Sequence, residues 1–261
     1  MAESTLSIAF SDLQTEAGAY LGYTTDTSVW SNARTAEVAR IVKSGLRRFY
    51  KADGTHRWSF LYPLMQLNLS SGVGDYDLPD DCGGLWGSAL TLRTDDSGYR
   101  DVTLMPEGDV RSARVQSPSS SGDPYMAAVR PKAMLQGSGV GQRLELILYP
   151  VPGSTYTLEF RYYVLPDALD STKTLPYGGM IHAETLREAV LSACEISRED
   201  MQGPHTQEFN RLLAISIQDD KFLLGPAHLG YNGDCSDGMS ADDDLRRRFP
   251  NTITYNGASV E

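Results

Sequence analysis

Three short aromatic and proline motifs stand in the middle of the chain, at Trp58–Leu61, Asp75–Pro79 and Leu148–Pro152, between segments that have a helical period. Aromatic and apolar runs bounded by proline, glycine and aspartate are typical of short strands and turns, so a strand is predicted at Trp58–Leu61. The order therefore predicts an α+β fold. Helices begin and end the folded part, and a β-rich insert lies between them.

Residues 1–57 are predicted to form an N-terminal helical hairpin. Apolar residues recur three to four positions apart over Leu6–Tyr20 and again over Val38–Phe49, which places each set on one face of a helix. Ser31 or Asn32 is suited to cap the start of the second helix, because its side chain accepts from a free N–H group of the first turn.

Residues 58–178 are predicted to form an inserted antiparallel β-rich domain of sandwich or barrel type. Pro106–Val115 is predicted to be a short helix inside it, and Ser117–Pro124 an exposed, mobile loop. Apolar and polar residues alternate in several runs, as expected for strands that bury one face. These runs lie at residues 90–93, 102–104, 144–148 and 156–162.

The helical period resumes in residues 179–225, with a long helix from about Ile181 and a second helix after Gly203 and Pro204. These C-terminal helices are predicted to complete a helical bundle with the N-terminal pair. Residues 226–261 lack a periodic pattern and are rich in Gly, Asn, Asp and Ser, so we expect an extended C-terminal arm.

Over residues 30–225 the order of the motifs resembles the head-to-tail adaptor proteins of short-tailed phages, the family that includes tail tubular protein A. The residues that match its motifs are Trp58, Phe60, Leu61, Tyr76, Leu78, Pro79, Asp81, Tyr149, Pro150 and Pro152. The resemblance implies a connector subunit that forms a ring below the portal, lines the DNA exit channel and joins the capsid to the tail. It implies a homo-dodecamer whose partners are the portal protein and a tail nozzle or tail tube protein. The protein would reside in the virion after assembly in the host cytoplasm.

The resemblance also implies that the C-terminal arm docks onto the portal. Its three consecutive arginines would meet an acidic portal surface, and the phenylalanine after them would be an apolar anchor. The segment that follows would add to a partner as an extended strand. The residues predicted to carry this docking are Arg246, Arg247, Arg248, Phe249, Ile253 and Tyr255.

The net charge of -11 is distributed unevenly along the chain. Residues 1–57 carry a charge of +1, residues 58–178 carry -5 and residues 179–261 carry -7. The sequence therefore predicts no basic stripe of the kind that marks a nucleic-acid-binding face. An acidic surface suits a channel wall along which DNA slides without sticking, although it also serves ordinary solubility.

Signals for catalysis, cofactors or metals are missing from the sequence. It contains neither a G-x-S-x-G nucleophile motif nor a phosphate-binding G-x-x-x-x-G-K-[ST] loop. Its four histidines and three cysteines have no metal-ligand spacing, and an odd number of cysteines at wide intervals suits a reducing compartment. The start of the chain has no export pattern, and no apolar run reaches the roughly 20 residues that cross a bilayer. We expect neither an enzyme nor a membrane protein.

A second function remains open on the sequence alone, that of a carbohydrate-binding or glycan-processing phage tail module. Aromatic side chains form platforms that bind sugars, although scattered aromatic residues are more often part of a core or an interface. Binding to bacterial surface polysaccharide would distinguish the two functions. The aromatic residues in question are Trp86, Tyr99, Tyr125 and Tyr177.

Overall fold

The computed structural model describes residues 4–52, 54, 56–93, 98–134, 141–199 and 201–223, together with two short strands near the C-terminus. The fold is α+β, with five α-helices and a β-sheet that curls into a half-barrel. The chain divides into two units, at residues 1–217 and 218–261.

Each of the five α-helices of the described chain lies where a helix is predicted. In α2 the side chain of Ser31 accepts from the N–H of Arg34 at 3.4 Å, which confirms Ser31 as the cap. The first helix begins at Phe10, four residues later than the apolar spacing predicts, because the Asp12 carboxylate accepts from the N–H of Ala9 at 2.9 Å and fixes the first turn there. The helices are α1 (Phe10–Tyr20), α2 (Asn32–Lys51), α3 (Glu107–Gln116), α4 (Ala183–Glu199) and α5 (Pro204–Leu223).

One hydrophobic core joins α1, α2, α4 and the first part of α5. Helix α4 is at its centre, since nearly every side chain from Ala183 to Glu195 is buried. A helix that is buried on nearly all sides must be surrounded by other helices or a sheet. The core includes Leu13, Ala17, Val38, Ile41, Val42, Leu46, Phe49, Leu186, Val190, Cys194 and Phe209.

The turn between α4 and α5 closes around the buried carboxylate of Glu195. This carboxylate accepts from the N–H groups of Gly203 at 3.1 Å, His205 at 2.9 Å and Thr206 at 2.9 Å, and from the Thr206 hydroxyl at 2.8 Å. Burial raises the pKa of Glu195, but these hydrogen bonds outweigh it and hold the pKa below its ordinary value. A negative charge at the start of α5 also compensates the unpaired donors of a helix N-terminus.

The main sheet has seven strands in the order β1-β9-β3-β4-β6-β7-β2. The alternating runs predicted as strands are confirmed in β3, β4, β7 and β9. The strands of the first unit are β1 (Leu64–Leu69), β2 (Asp75–Asp77), β3 (Cys82–Arg93), β4 (Tyr99–Leu104), β5 (Ser121–Gly122), β6 (Met126–Pro131), β7 (Leu144–Tyr149), β8 (Val151–Pro152) and β9 (Tyr156–Val164). The described part of the second unit contains β10 (Ile253–Tyr255) and β11 (Ala258–Val260), which pair antiparallel.

Chain length explains why the sheet curls. The edge strands β1 and β2 are consecutive in the chain, and only residues 70–74 connect them. In a flat sheet the outermost of seven strands would lie roughly 29 Å apart, whereas this connection spans at most about 22 Å. The Tyr76 hydroxyl ties the connection together, since it accepts from the N–H of Ser70 at 2.8 Å and its single proton faces the carbonyls of Ser70 and Val73, at 3.1 and 3.0 Å.

The two faces of the sheet are buried in different ways. Apolar residues of one face pack against each other across the curl, and helix α3 covers part of the other face. Val110 of α3 contacts Ala128, Ile147 and Tyr149 there. The core inside the curl includes Leu69, Leu78, Leu90, Leu92, Val102, Ala127, Leu146, Leu148, Leu158 and Phe160.

Two predictions about the insert need correction. The sheet is not purely antiparallel, because β4 and β6 pair in parallel after a crossover through α3. The segment Ser117–Pro124 is not simply an exposed loop, since it contains β5, which pairs in parallel with β8. The backbone N–H groups of Val151 and Gly153 donate to this segment at 3.2 and 3.0 Å, so backbone pairing gives it order that its composition does not predict.

The prediction of a strand at Trp58–Leu61 is wrong. Residues Ser59–Leu61 form a 3-10 helix, and β1 begins only at Leu64, after Pro63. The indole N–H of Trp58 donates to the carbonyl of Phe49 at 3.1 Å, and the two rings stack with centroids 4.6 Å apart. These contacts hold the chain against the end of α2 before it enters the sheet.

Candidate functional site

A surface of exposed apolar side chains lies on the residues that connect β9 to α4, which we name the 165–181 segment. Five large apolar side chains of this segment are 45–57% exposed. Soluble proteins seldom expose several such side chains in one short stretch unless the surface contacts a partner. The five are Leu165, Leu175, Tyr177, Met180 and Ile181.

The backbone of the 165–181 segment is held from three sides. The N–H of Leu165 donates to the carbonyl of Asp81 at 2.7 Å, next to the sheet. The N–H of Phe10 donates to the carbonyl of Thr174 at 2.7 Å, and the Tyr50 hydroxyl donates to the carbonyl of Tyr177 at 3.3 Å. The segment therefore presents its apolar side chains from a fixed backbone, which lowers the entropy cost of docking.

A tight turn around Asp170 fixes the middle of the segment. Its carboxylate accepts from the N–H and the hydroxyl of Thr172 at 2.7 and 2.6 Å, and from the N–H of Lys173 at 2.8 Å. The Lys173 ammonium forms an ion pair with Asp167. The hydroxyl hydrogen bond and the two backbone hydrogen bonds lower the pKa of Asp170 to about 2.

We expect the Asp170 carboxyl to remain ionised well below the range of ordinary aspartates. With a pKa of about 2, roughly nine-tenths of it is ionised at pH 3, against roughly one-tenth for an aspartate with the ordinary pKa of about 3.9. Because the folded pKa is the lower one, its stabilising effect is complete above the unfolded pKa and is lost as the pH falls through about 2. Carboxyl carbon NMR at pH 3 measures the ionised fraction directly.

The matched control for this measurement is Thr172→Ala. It removes the hydroxyl hydrogen bond, the largest single cause of the shift, and we expect the pKa of Asp170 to rise toward its ordinary value. A carboxyl that is already mostly protonated at pH 3 in the folded parent protein would contradict this structure of the turn.

A cavity of about 410 Å³ lies beneath the segment, between Tyr50 of α2 and Asp81 at the end of the sheet. Burial raises the pKa of the Tyr50 hydroxyl, so this group stays protonated and keeps its hydrogen bond to the carbonyl of Tyr177. In the described ranges no cluster of His, Cys, Asp and Glu side chains is arranged to hold a metal ion.

An aromatic cluster supports the C-terminal end of the segment. The buried His182 ring lies 5.2 Å from Trp58 and 5.3 Å from Phe60, centroid to centroid. Before it, Gly178 and Gly179 have φ angles of 109° and 60°, a backbone conformation that other residues seldom adopt. The two glycines thus allow the chain to turn from the exposed segment into α4.

The predicted portal-docking residues are only partly within the described chain. Arg246, Arg247, Arg248 and Phe249 lie outside the described residues. Ile253 and Tyr255 belong to β10, in which Ile253 pairs with Val260 and Tyr255 with Ala258. The docking role of the six residues stays a prediction.

The four aromatic residues considered as a sugar platform are all exposed, but they are distributed over different elements. The register of β3 and β4 pairs Tyr99 with Arg93, seven residues along β3 from Trp86. Because β3 bulges between Trp86 and Thr91, this stretch spans only four residues of β9, from Arg161 to Thr157. At the rise of an extended strand, Tyr99 and Trp86 are therefore roughly 14 Å apart along the sheet. Tyr177 lies on the 165–181 segment, and Tyr125 precedes β6.

Helix α2 corrects the expectation that no basic stripe exists. Arg40, Lys43, Arg47 and Lys51 are three to four positions apart and exposed on one side of the helix. The helical period that predicts the apolar face of α2 also predicts that these four basic residues share the opposite face. The sequence therefore contained the signal, but regional net charge concealed it.

The two described cysteines are buried thiols. Cys82 and Cys194 are both free, and burial raises the pKa of Cys194 to about 12. Burial also raises the pKa of Cys82. Burial therefore favours the protonated form of both thiols in the folded protein.

The sequence profile of the SU10 adaptor protein family matches residues 8–228. The match includes all five helices and the seven-stranded sheet. No curated protein matches the chain. None of the helices in the described chain is long and apolar enough to cross a membrane.

Proposed function

The chain belongs to the SU10 adaptor protein family, and from this membership we propose that it is a subunit of a phage head-to-tail connector. Membership makes it a viral structural protein of the phage adaptor type, with its place in the virion. In our proposal the subunits form a homo-dodecameric ring below the portal. The ring joins the capsid to a tail nozzle or tail tube protein and surrounds the DNA exit channel.

The observation that carries the proposal is the extent of the family match. It runs from residue 8 to residue 228 and so takes in the helical core, the half-barrel and the 165–181 segment between them. An adaptor acts by holding two larger components together, and such a role depends on surfaces more than on a reactive centre. The fixed, exposed apolar side chains of the 165–181 segment meet that need.

Ring formation requires one face of each subunit to bind a different face of the next, since such contacts close into a ring when the rotation between copies is right. We propose that the 165–181 segment is one of these faces. Tyr177 and Met180 are of the residue types that are enriched in the buried centres of interfaces. The three backbone anchors of the segment keep it in position before a neighbour arrives.

The two ends of the connector would use different parts of the chain. The C-terminal arm would dock onto the portal through Arg246–Phe249 and the β10 strand, and the half-barrel would contact the next tail component. The net charge of -11 supports an acidic channel wall, because like charges remove the sites where DNA would be held. Assembly would take place in the host cytoplasm, and the role is one of assembly without catalysis.

The first experiment is to count the protein in purified virions. Quantitative mass spectrometry with labelled peptide standards gives its copy number relative to the portal protein, and a connector that matches the portal ring should give a ratio near one. The major capsid protein, whose copy number the capsid geometry fixes, is the internal control. Absence from particles would refute the connector proposal and favour the alternative of a carbohydrate-binding module.

A further inference from the structure

The exposed side of α2 carries four positive charges in a line, which we name the α2 basic face. Its members are Arg40, Lys43, Arg47 and Lys51. Residues at such intervals share one side of a helix, and the line is about 16 Å long at the rise of an α-helix. The opposite side of α2 is buried in the helical core, so this face is turned to solvent.

Within the described residues, no carboxylate pairs with the cations of the α2 basic face. In the part of the chain that the structure describes, no carboxylate forms an ion pair with Lys43, Arg47 or Lys51, and Arg40 contacts only the Ser197 hydroxyl, at 3.4 Å. A cavity of about 180 Å³ beside Lys43 and Arg47 includes Asp167 in its lining. That carboxylate is paired with Lys173.

Several cations elsewhere in the protein form ion pairs. Arg114 pairs with Asp75 at 2.6 Å, and Arg130 contacts Glu145 at 2.5 Å. Such pairs tie elements of the sheet together. The four cations of the α2 basic face form no such ties between elements among the described residues, in a chain with a net charge of -11. They are suited to an external polyanion.

The composition of the face indicates which polyanion it fits. No large hydrophobic side chain is exposed between Asn32 and Lys51. The centres of protein interfaces are apolar and depleted in lysine, so this face lacks the anchor that an acidic protein would need. A line of cations with no exposed large hydrophobic side chain on its own helix is instead typical of contacts to the sugar-phosphate backbone, which require positive charge and no fixed pocket.

We infer that the α2 basic face binds the phosphate backbone of double-stranded DNA without reading its sequence. This goes beyond the proposed connector, which could join capsid to tail without touching DNA, and it makes α2 an exception to the proposed acidic channel wall. One face supplies few contacts, so binding by a single chain is weak and depends strongly on salt. Repetition of the face in a ring would multiply the contacts.

The test is DNA binding by the full-length chain, measured by fluorescence anisotropy with a labelled duplex of about 30 base pairs from about 20 mM NaCl upward. Four phosphate contacts predict that the logarithm of the binding constant falls with the logarithm of salt with a slope of about -3.6. In Lys43→Gln/Arg47→Gln we expect the slope to flatten by about two and the affinity at low salt to fall roughly tenfold or more.

The matched control is Arg93→Gln/Arg161→Gln. It makes the same change in net charge on exposed strand positions of β3 and β9 that form no ion pair within the described chain. We expect it to bind DNA within about twofold of the parent protein, because net charge alone contributes little at these distances.

Three results would overturn the inference. The first is no binding by the parent protein at low salt, and the second is an equal loss in the two double variants, which would reduce the effect to net charge. The third is competition by poly-glutamate as effective as that by duplex DNA, which would identify an acidic protein as the partner. If the protein does not bind DNA but is present in virions at the copy number of the portal protein, the DNA-binding inference is wrong and the connector proposal stands.

Discussion

Replacement of Trp58 with alanine is expected to lower the free energy of unfolding by about 3–5 kcal/mol. The side chain is fully buried, and its ring lies between Phe49 at the end of α2 and His182 before α4. Truncation leaves a cavity that the backbone cannot close, because rigid elements surround it. It also removes the hydrogen bond from the indole N–H to the carbonyl of Phe49.

The position of Trp58 makes the effect larger than a simple loss of apolar area. Phe60 stacks on the indole at 5.4 Å, and the same ring meets His56 edge-on at 4.9 Å. Aromatic pairs of this kind contribute about 0.5–1.5 kcal/mol each beyond their buried area. The cluster also fixes the point where the chain leaves the helical core for β1, so its loss should loosen the entry to the sheet.

Urea unfolding followed by far-UV circular dichroism measures the change, since tryptophan fluorescence is itself altered by the substitution. Trp86→Ala is the matched control, because it removes the same side chain from a site that is 48% exposed on β3. We expect the control to cost about 1 kcal/mol or less. Equal losses in the two variants would contradict the structural role assigned to Trp58.

The regular elements could be predicted because their patterns are local. The helical period of Val38–Phe49 and the alternation in Leu144–Leu148 each reflect one buried face, and neither depends on a distant partner. The Ser31 cap is likewise decided within four residues. For these segments, local preference and tertiary contact act in the same direction.

Trp58–Leu61 was mispredicted because a contact outside the segment decides its structure. An aromatic, apolar run is typical of a strand, but the indole of Trp58 is drawn onto α2 and the backbone turns. The position of β1 and β2 at opposite edges of the sheet follows from the closing of the curl, which no short pattern encodes. The parallel pairing of β5 and β8 depends on residues 30 positions apart.

The candidate surface was equally hard to derive from the sequence. Nothing in the sequence around Leu175 and Ile181 distinguishes them from buried apolar residues. Only the fold shows that they are exposed, whereas Leu169 in the same segment is buried. Tyr177 was considered from the sequence only as one of four scattered aromatic residues in a possible sugar-binding platform. In an irregular segment, the exposure of a side chain depends on the elements that pack beside the segment. Such a segment has no helical or strand period from which the exposed positions could be predicted.

Replacement of Gly45 with valine is expected to separate α2 from α4 and to lower the free energy of unfolding by about 3 kcal/mol. A Cβ atom at this position would lie 2.6 Å from the Cα of Val190 and 2.9 Å from the carbonyl oxygen of Ala189. Both are backbone atoms of the buried α4, so they cannot move aside as the end of a side chain would. Relief requires the two helices to shift apart, and that disrupts the core on both sides of the contact.

The smaller substitution Gly45→Ala gives the sharper test, because the close helix contact and helix propensity predict opposite changes in the free energy of unfolding. Glycine to alanine in an exposed helix stabilises by about 1 kcal/mol through helix propensity alone, yet we expect Gly45→Ala to destabilise, because the overpacking cost of about 1–3 kcal/mol exceeds that gain. Ser44→Ala and Ser44→Val are the matched controls at the neighbouring exposed position, and both should stay within about 0.5 kcal/mol of the parent. Thermal and urea unfolding of the four variants give the comparison. A Gly45→Ala variant that is more stable than its parent would mean that α2 and α4 do not approach this closely, and the central position of α4 in the helical core would have to be revised.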